Sequence, residues 1–290
     1  ATHTSGAPSA FGWTVALVFW AATNPFFRPA MLRFKNLGSG STGNATVVEG
    51  RSGSQVRRLL IDCGLGIRQL QARLAQAQLQ VEDLDALFIT HEHSDHIGCA
   101  QTLALRFRIP VWMSEGTYAA LGAPDLDGLL RVAHDMEAID MGAFEARPFT
   151  VPHDAREPLQ LRCSDGAAHL GVLTDLGHAS SHVLQQLQGC HALMIEANHD
   201  PDMLAASRYP PFLKRRVGGL YGHLANTATA EILRAVQHDG LKRVVAAHLS
   251  AQNNLPALAR QSLAAALGWA DEEIQVASPT EGTQWFDVSP

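Results

Sequence analysis

The chain has little of what marks a disulfide-stapled, membrane-spanning or strongly basic protein. Its 290 residues include four cysteines, Cys63, Cys99, Cys163 and Cys190, widely separated and with no Cys-x-x-Cys pair. A structural zinc knot is therefore not expected, and free thiols in a reduced, cytoplasmic setting are the simplest reading. Positive charge is scarce too: 22 Lys and Arg against 28 Asp and Glu leave a net charge of -6. That disfavours indiscriminate nucleic-acid binding, which needs basic surface, but leaves room for a local basic strip. A membrane-spanning helix needs about 20 apolar residues, and the apolar run from Phe11 to Thr23 is shorter. No Lys or Arg precedes Arg28, so the run lacks the basic flank of a signal peptide. Stable membrane insertion is not expected, and residues 1–30 read as an extension outside the core fold. Short-period repeats and low-complexity tracts are absent.

Apolar residues are abundant, 46% of the chain, enough for a large buried core. From Met31 onward, Leu32–Leu37, Ala45–Glu49 and Arg57–Cys63 read as strands separated by Gly/Ser turns. Ile67, Leu70 and Leu74 recur at helical spacing, predicting a helix over Gly66–Leu79. A buried strand, Leu84–Thr90, is followed by a helix over His96–Phe107 and a strand at Val111–Met113. The second half repeats this grammar. Strands are predicted at Ala143–Val151, Leu159–Ser164, His169–Thr174, Ala192–Glu196, Arg243–Ala247 and Ile274–Ala277. Helices are predicted at Ser181–Leu187, Thr229–His238 and Pro256–Leu267, with Gly240 and Gly268 as stops for the last two. Two such halves suggest an α/β fold, a four-layer αβ/βα sandwich. No linker divides residues 31–290, which read as one domain.

The run His91-Glu92-His93-Ser94-Asp95-His96, directly after a buried strand, packs four potential metal ligands into six residues. Residues two apart on an extended chain point to one side, so His91, His93 and Asp95 can converge. His96 follows where the chain turns into a helix, beside a second possible metal position. Imidazole with carboxylate suits zinc first, then manganese or iron.

This run resembles the His-x-His-x-Asp-His signature of the metallo-β-lactamase-fold hydrolases. The resemblance implies an isolated His, an Asp and a last His, each closing a later strand. Val151-Pro152-His153, Leu173-Thr174-Asp175 and Ala246-Ala247-His248 supply them in order. It further implies that His91, His93 and His153 hold one divalent metal, that Asp95, His96 and His248 hold another, and that Asp175 bridges. Flavodiiron oxidoreductases of this fold carry Glu where this chain has His93, so hydrolysis is favoured over redox chemistry. Two such metals would share a hydroxide as nucleophile, with Asp95 as ligand and proton acceptor. Asp62 and Glu196 read as orienting groups rather than ligands. His134, His169, His182, His191 and His238 read as histidines without a site role.

Two further segments bear on the substrate. The loop from Gly38 to Ala45 offers Ser39, Ser41 and Asn44 to a phosphate or an oxyanion, although any tight hairpin uses such residues. Lys214, Arg215 and Arg216 form a basic cluster just before Gly222-His223-Leu224; a solvated helix face is the bland alternative. Together with Glu196-Ala197-Asn198-His199-Asp200 and the segment from His248 to Asn254, these stretches look like the WalJ/YycJ-like branch. Its members are small bacterial proteins regarded as DNA exonucleases or phosphodiesterases and related to ribonuclease Z. That resemblance covers nearly all of residues 31–290 and implies that His223 donates a proton to the leaving oxygen or contacts phosphate. Two departures stand out: Ala225 replaces a usual Ser, and His178 stands where the branch often has an aromatic residue. The expected activity is a phosphodiesterase or nuclease with nucleic acid or a small phosphodiester as substrate. A lactonase, β-lactamase-like enzyme or thioesterase on the same metals is the alternative. A metal-binding regulatory protein is a more distant one.

Overall fold

A computed structural model describes residues 31–290, so the expected N-terminal extension lies outside the described residues. Antiparallel strands β1 (Met31–Gly38), β2 (Ala45–Ser52) and β3 (Gln55–Ile61) begin the first sheet. Three short strands, β4 (Ala86–Phe88), β5 (Val111–Met113) and β6 (Leu130–Val132), join it in parallel. The second sheet repeats the plan. An antiparallel run of β7 (Ile139–Asp140), β8 (Glu145–Thr150), β9 (Leu159–Ser164) and β10 (His169–Leu173) comes first. Parallel β11 (Ala192–Glu196), β12 (Arg243–Ala247) and β13 (Ile274–Val276) complete it. The last strand, β14 (Phe286–Val288), returns to pair with β1.

Period-two burial in these strands sends alternate side chains into different apolar layers. Phe34, Val48, Phe88, Leu161, Val172 and Met194 pack between the two sheets. Leu60 and Leu87 face outward onto Leu70, Leu74 and Leu103 of the helices Ile67–Gln76 and Ala100–Phe107. On the other side Leu193 and Val244 meet Val183, Leu233 and Leu263 of helices Ser181–Leu187, Asn226–Val236 and Pro256–Leu267. The four-layer αβ/βα sandwich follows. Among the described residues no helix is long and apolar enough to cross a membrane.

Several elements differ from expectation for local reasons. The strand expected over Leu84–Thr90 shortens to β4. The helix expected over His96–Phe107 is split into Ser94–Ile97 and Ala100–Phe107. Gly98 breaks it at a φ of 30°, and a Cβ there would lie 2.3 Å from the carbonyl oxygen of Cys63. The break lets Cys63 donate to the His96 carbonyl at 2.8 Å and Cys99 to the Cys63 carbonyl at 3.1 Å, docking the metal loop on the end of β3. It also brings the Cys63 and Cys99 thiols to 3.3 Å. The helix expected over Thr229–His238 runs over Asn226–Val236 and ends before Gly240, whereas Gly268 does close its helix with a φ of 69°. The short elements Leu130–Val132, Phe286–Val288, Glu115–Ala120 and Pro201–Ala206 are too brief to show a period.

Candidate metal centre

The seven side chains expected as ligands converge at the carboxyl ends of the strands. His91 follows β4, His153 follows β8, Asp175 follows β10 and His248 follows β12. His91 Nε2 lies 3.0 Å from His93 Nδ1, and His153 Nε2 lies 3.4 Å from the same atom. On the other side His248 Nε2 lies 3.3 Å and His96 Nε2 3.7 Å from Asp95 Oδ2. Asp175 stands between: its Oδ2 is 3.0 Å from His96 Nε2, and its Oδ1 is 3.0 Å from His248 Nδ1. Donor atoms of His91, His93 and His153 form one cluster, and those of Asp95, His96 and His248 another. Asp175 clusters with His91 and His96 on one side and with Glu196, His223 and His248 on the other.

Each buried imidazole is held by its other nitrogen, which fixes both ring orientation and tautomer. His91 Nδ1 meets Thr90 Oγ1 at 3.0 Å, His96 Nδ1 meets Asp62 Oδ2 at 2.7 Å, and His153 Nδ1 meets the Gly222 carbonyl at 3.0 Å. His248 Nδ1 lies 3.2 Å from Glu196 Oε1. Carboxylates and carbonyls only accept, and the Thr90 hydroxyl gives its own proton to Asp62, so these nitrogens carry a proton and the inward nitrogens are the ones left to ligate a cation. Asp62 is the hub of this layer. It takes hydrogen bonds from the Thr90 amide at 2.9 Å and the Thr90 hydroxyl at 3.0 Å as well as from His96. Glu196, fully buried, is bound by the amides of Leu176 and Leu224 through Oε2 and meets His223 Nδ1 at 2.7 Å through Oε1. Both carboxylates thus orient other groups.

The donor set fits a metal. Asp175 Oδ2 is buried and has no hydrogen-bond partner, although it faces His96 Nε2 across 3.0 Å. Two acceptors cannot face each other at that distance without a cation or a proton between them. Burial opposes charge on His96, yet Asp175 and Asp62 hold it up at about 10. Burial, reinforced by His96, keeps His91 well below its usual value, which preserves the neutral, ligating form. The chemistry is that of a mixed nitrogen–oxygen site for divalent cations.

The residues expected to touch substrate divide. A cavity of about 370 Å³ opens over the cluster, lined by Ser41, His93, Asp95, Asp175, Arg216, His223 and His248 among others. Ser39 and Asn44 do not line it. Ser39 is buried and its Oγ accepts from the His248 amide at 2.8 Å, steadying a residue held at a φ of 54°. Asn44 accepts from the Gly40 amide at 2.9 Å, and its amide group lies 3.1 Å from His96 Nε2. Both hold the ligand loops instead of meeting solvent. The structure distributes the basic cluster around a helix, Pro211–Val217, whose turn of about 100° per residue spreads consecutive side chains apart. Lys214 reaches back to the Ala205 carbonyl and Arg215 is exposed; Arg216 lines the cavity, 2.6 Å from Asp154. His182 bonds Asp135 and His169 stacks on His191.

Sequence reasoning missed the steadying roles of Ser39, Thr90 and the Gly222 carbonyl. Only the adjacency of Thr90 to His91 hinted at any of them.

Two sheets of matching plan with a His/Asp cluster at their strand ends define a metallo-β-lactamase-fold hydrolase. The chain belongs to the β-lactamase superfamily, whose domain model matches residues 57–249 and so spans all seven clustered side chains. It is similar to exodeoxyribonuclease YycJ of Bacillus anthracis, 35% identical over 241 residues, covering 81% of this chain and 89% of that protein. It is also similar to exodeoxyribonuclease WalJ of Streptococcus pneumoniae, 31% identical over 263 residues, covering 89% of this chain and 94% of the relative. Among solved structures, the metallo-β-lactamase fold protein YhfI from Bacillus subtilis aligns with a TM-score of 0.68 at 16% identity, covering 89% of this chain and 99% of YhfI. That last likeness is one of fold.

Proposed function

We propose that the protein is a two-metal phosphodiesterase that removes nucleotides from a DNA strand. The observation that carries the chemistry is Asp175, buried between two clusters of ring nitrogens and carboxylate oxygens. Support for DNA as substrate comes from the two exodeoxyribonuclease relatives, each matched over more than four-fifths of this chain.

His91, His93 and His153 would hold one cation, Asp95, His96 and His248 the other, and Asp175 both; zinc suits this donor set best. Such a pair supplies a water nucleophile at neutral pH and offsets charge developing on the phosphate. The chain's own groups do the rest. Asp95, on the cavity wall, orients the attacking water and accepts its proton. His223, held through Nδ1 by Glu196, presents Nε2 for proton transfer to the leaving oxygen. Arg216 exchanges Asp154 for a substrate phosphate, a pairing its guanidinium suits.

The test is a side-by-side hydrolysis assay of zinc- or manganese-loaded protein. Its substrates are end-labelled single- and double-stranded DNA, RNA, bis(p-nitrophenyl) phosphate, an acyl-homoserine lactone and a chromogenic β-lactam. Asp175→Ala is the blank, and metal content is measured in parallel. DNA turnover above the blank, with two metals per chain and inert carbonyl substrates, is expected. Lactone or lactam opening with inert DNA would overturn the substrate class while leaving the metal site in place.

A further inference from the structure

Five large hydrophobic side chains are exposed among the described residues: Met31, Phe212, Leu220, Tyr221 and Leu255. Three of them, Phe212, Leu220 and Tyr221, are each more than 60% exposed and fall within ten residues of one another. The same segment supplies Leu213, Arg216, Val217, Gly222 and His223 to the wall of the metal cavity. Phe212 directly precedes the lining residue Leu213, and Leu220 and Tyr221 run straight into the lining pair Gly222 and His223, so exposed apolar side chains border a polar site, as at a binding surface.

This rim is fixed to the metal loops. Its one turn is closed by the Gly222 amide on the Gly219 carbonyl at 2.9 Å and the His223 amide on the Val217 carbonyl at 2.8 Å. Gly177, two residues after Asp175, packs so closely that a Cβ there would lie 2.2 Å from the Leu220 carbonyl oxygen. His178 donates from Nδ1 to that carbonyl at 2.8 Å, and its ring meets Tyr221 edge-on at 6.2 Å between centroids. The departure from the family pattern at His178 thus braces the rim. The Gly222 carbonyl in turn orients His153. A platform tied to the ligand shell on both sides sits at a set position relative to any phosphate in the cavity.

We propose that Phe212, Leu220 and Tyr221 form a stacking rim for the nucleobase of the nucleotide whose phosphate enters the metal cavity. The inference rests on the nuclease reading and adds to it how the enzyme grips a strand end. Charge complementarity favours a nucleotide over a protein partner. Arg215 is exposed on the same helix and Arg216 reaches into the cavity, so aromatic faces for bases lie beside cations for phosphates, as in single-strand binding sites. At about 370 Å³, the cavity falls near the small end of ligand sites, roughly 300–1,000 Å³. On a paired end, the rim would receive the terminal base once it leaves its partner.

The experiment compares two oligonucleotides that differ only in the terminal nucleotide at the digested end, one natural and one abasic. Metal-loaded wild-type protein is expected to prefer the natural end by roughly five- to a hundredfold in kcat/KM, the range of a stacked base. Phe212→Ala combined with Tyr221→Ala is expected to bring that ratio close to one, and Tyr221→Trp to keep it. Because the readout is a ratio, a fold defect that lowers both rates equally does not imitate the result. Equal rates on the two ends for the wild type, or an unchanged ratio in the double variant, would overturn the rim. Wild-type protein inert on all DNA yet active on bis(p-nitrophenyl) phosphate would overturn the nuclease reading itself.

Discussion

Glu196 Oε1 meets His223 Nδ1 at 2.7 Å beneath the floor of the cavity, and the same carboxylate reaches His248 Nδ1 at 3.2 Å. One buried acid thereby sets the tautomer of a cavity histidine and of a clustered histidine together. The arrangement separates two jobs that share a neighbourhood: His248 turns Nε2 towards Asp95, and His223 belongs to the cavity wall.

The proton-donor role of His223 has a leaving-group signature. A deoxyribose oxygen leaves as a poor alkoxide and needs a proton, whereas p-nitrophenolate leaves without one. His223→Ala is expected to lower kcat on DNA by about 10²–10⁴-fold, the usual contribution of general acid catalysis. On bis(p-nitrophenyl) phosphate the loss should stay below about tenfold, with metal content retained. Steady-state kinetics on both substrates decide it; equal losses would assign His223 to structure or to metal binding.

Gly64→Ala should weaken metal binding without replacing a ligand. A Cβ on Gly64 would lie 1.7 Å from the Asp95 carbonyl oxygen, while one on Gly66 would meet nothing within 4 Å. The first must push the Asp95–His96 loop away from β3, at a cost of at least about 1–3 kcal/mol for overpacking. Lost ligand geometry should weaken metal binding by about 10–100-fold. Gly66→Ala, at a φ of -67°, should bind metal normally and change stability by no more than about 1 kcal/mol. Metal titration of both variants checks the contrast.

The parts of the site that were legible in the sequence are those where chemistry restricts residue type and chain geometry restricts spacing. His91, His93, Asp95 and His96 qualify on both counts, because few side chains bind cations and a strand followed by a turn aims them together. His153, Asp175 and His248 became readable through the family pattern, each placed after an apolar stretch that forms a strand. Two supports, Asp62 and Glu196, were legible as orienting carboxylates at strand ends, but which histidine each one holds was not, and Ser39 gave no sign of such a role. Ser39 meets His248 across 209 positions and Asp62 meets His96 across 34, and neither residue type is unusual in a turn. The basic cluster was legible as a cluster, but not which of its members faces the cavity, because a helical turn spreads consecutive side chains apart. In the fold, long amphipathic elements such as Pro256–Leu267 were plain, while three-residue strands depend on their neighbours in the sheet.

Far from the metals, Glu49 gives the fold a pH-dependent clamp. It is fully buried on β2 and takes Arg33 at 2.8 Å and both Arg51 and Arg58 at 2.7 Å. Burial alone would raise its pKa, but the three guanidiniums outweigh it and hold the group below its ordinary 4.5. A depressed folded-state value means that the stabilisation is fully present above the unfolded value and fades as the pH falls through the folded one. Glu49→Gln is expected to destabilise by about 2–4 kcal/mol at pH 7.5, near the range for breaking a buried pair. The gap from wild type should narrow below pH 4.5. Urea denaturation at pH 7.5 and 3.5 measures it, and a constant gap would show that packing, not charge, holds the three arginines.

The three cations before His223 should separate on mutation. Lys214 is tied to the Ala205 carbonyl and is not part of the cavity lining, whereas Arg216 lines the cavity and is held by Asp154, with 61% of its side chain exposed. A phosphate has two advantages over Asp154 as partner for that guanidinium: it carries more charge, and it is anchored by the rest of the strand. Arg216→Ala is therefore expected to raise KM on polynucleotides and to lessen the dependence of log(kcat/KM) on log salt concentration. One lost phosphate contact corresponds to a change in slope of about 0.7–0.9. Lys214→Ala should leave that slope as it is, and Arg215→Ala should fall between the two, since it is exposed but outside the cavity. Rates on labelled DNA between low and moderate salt give all three slopes. If the three variants behaved alike, the cations would act through a diffuse field and Arg216 would have no place of its own in gripping the strand.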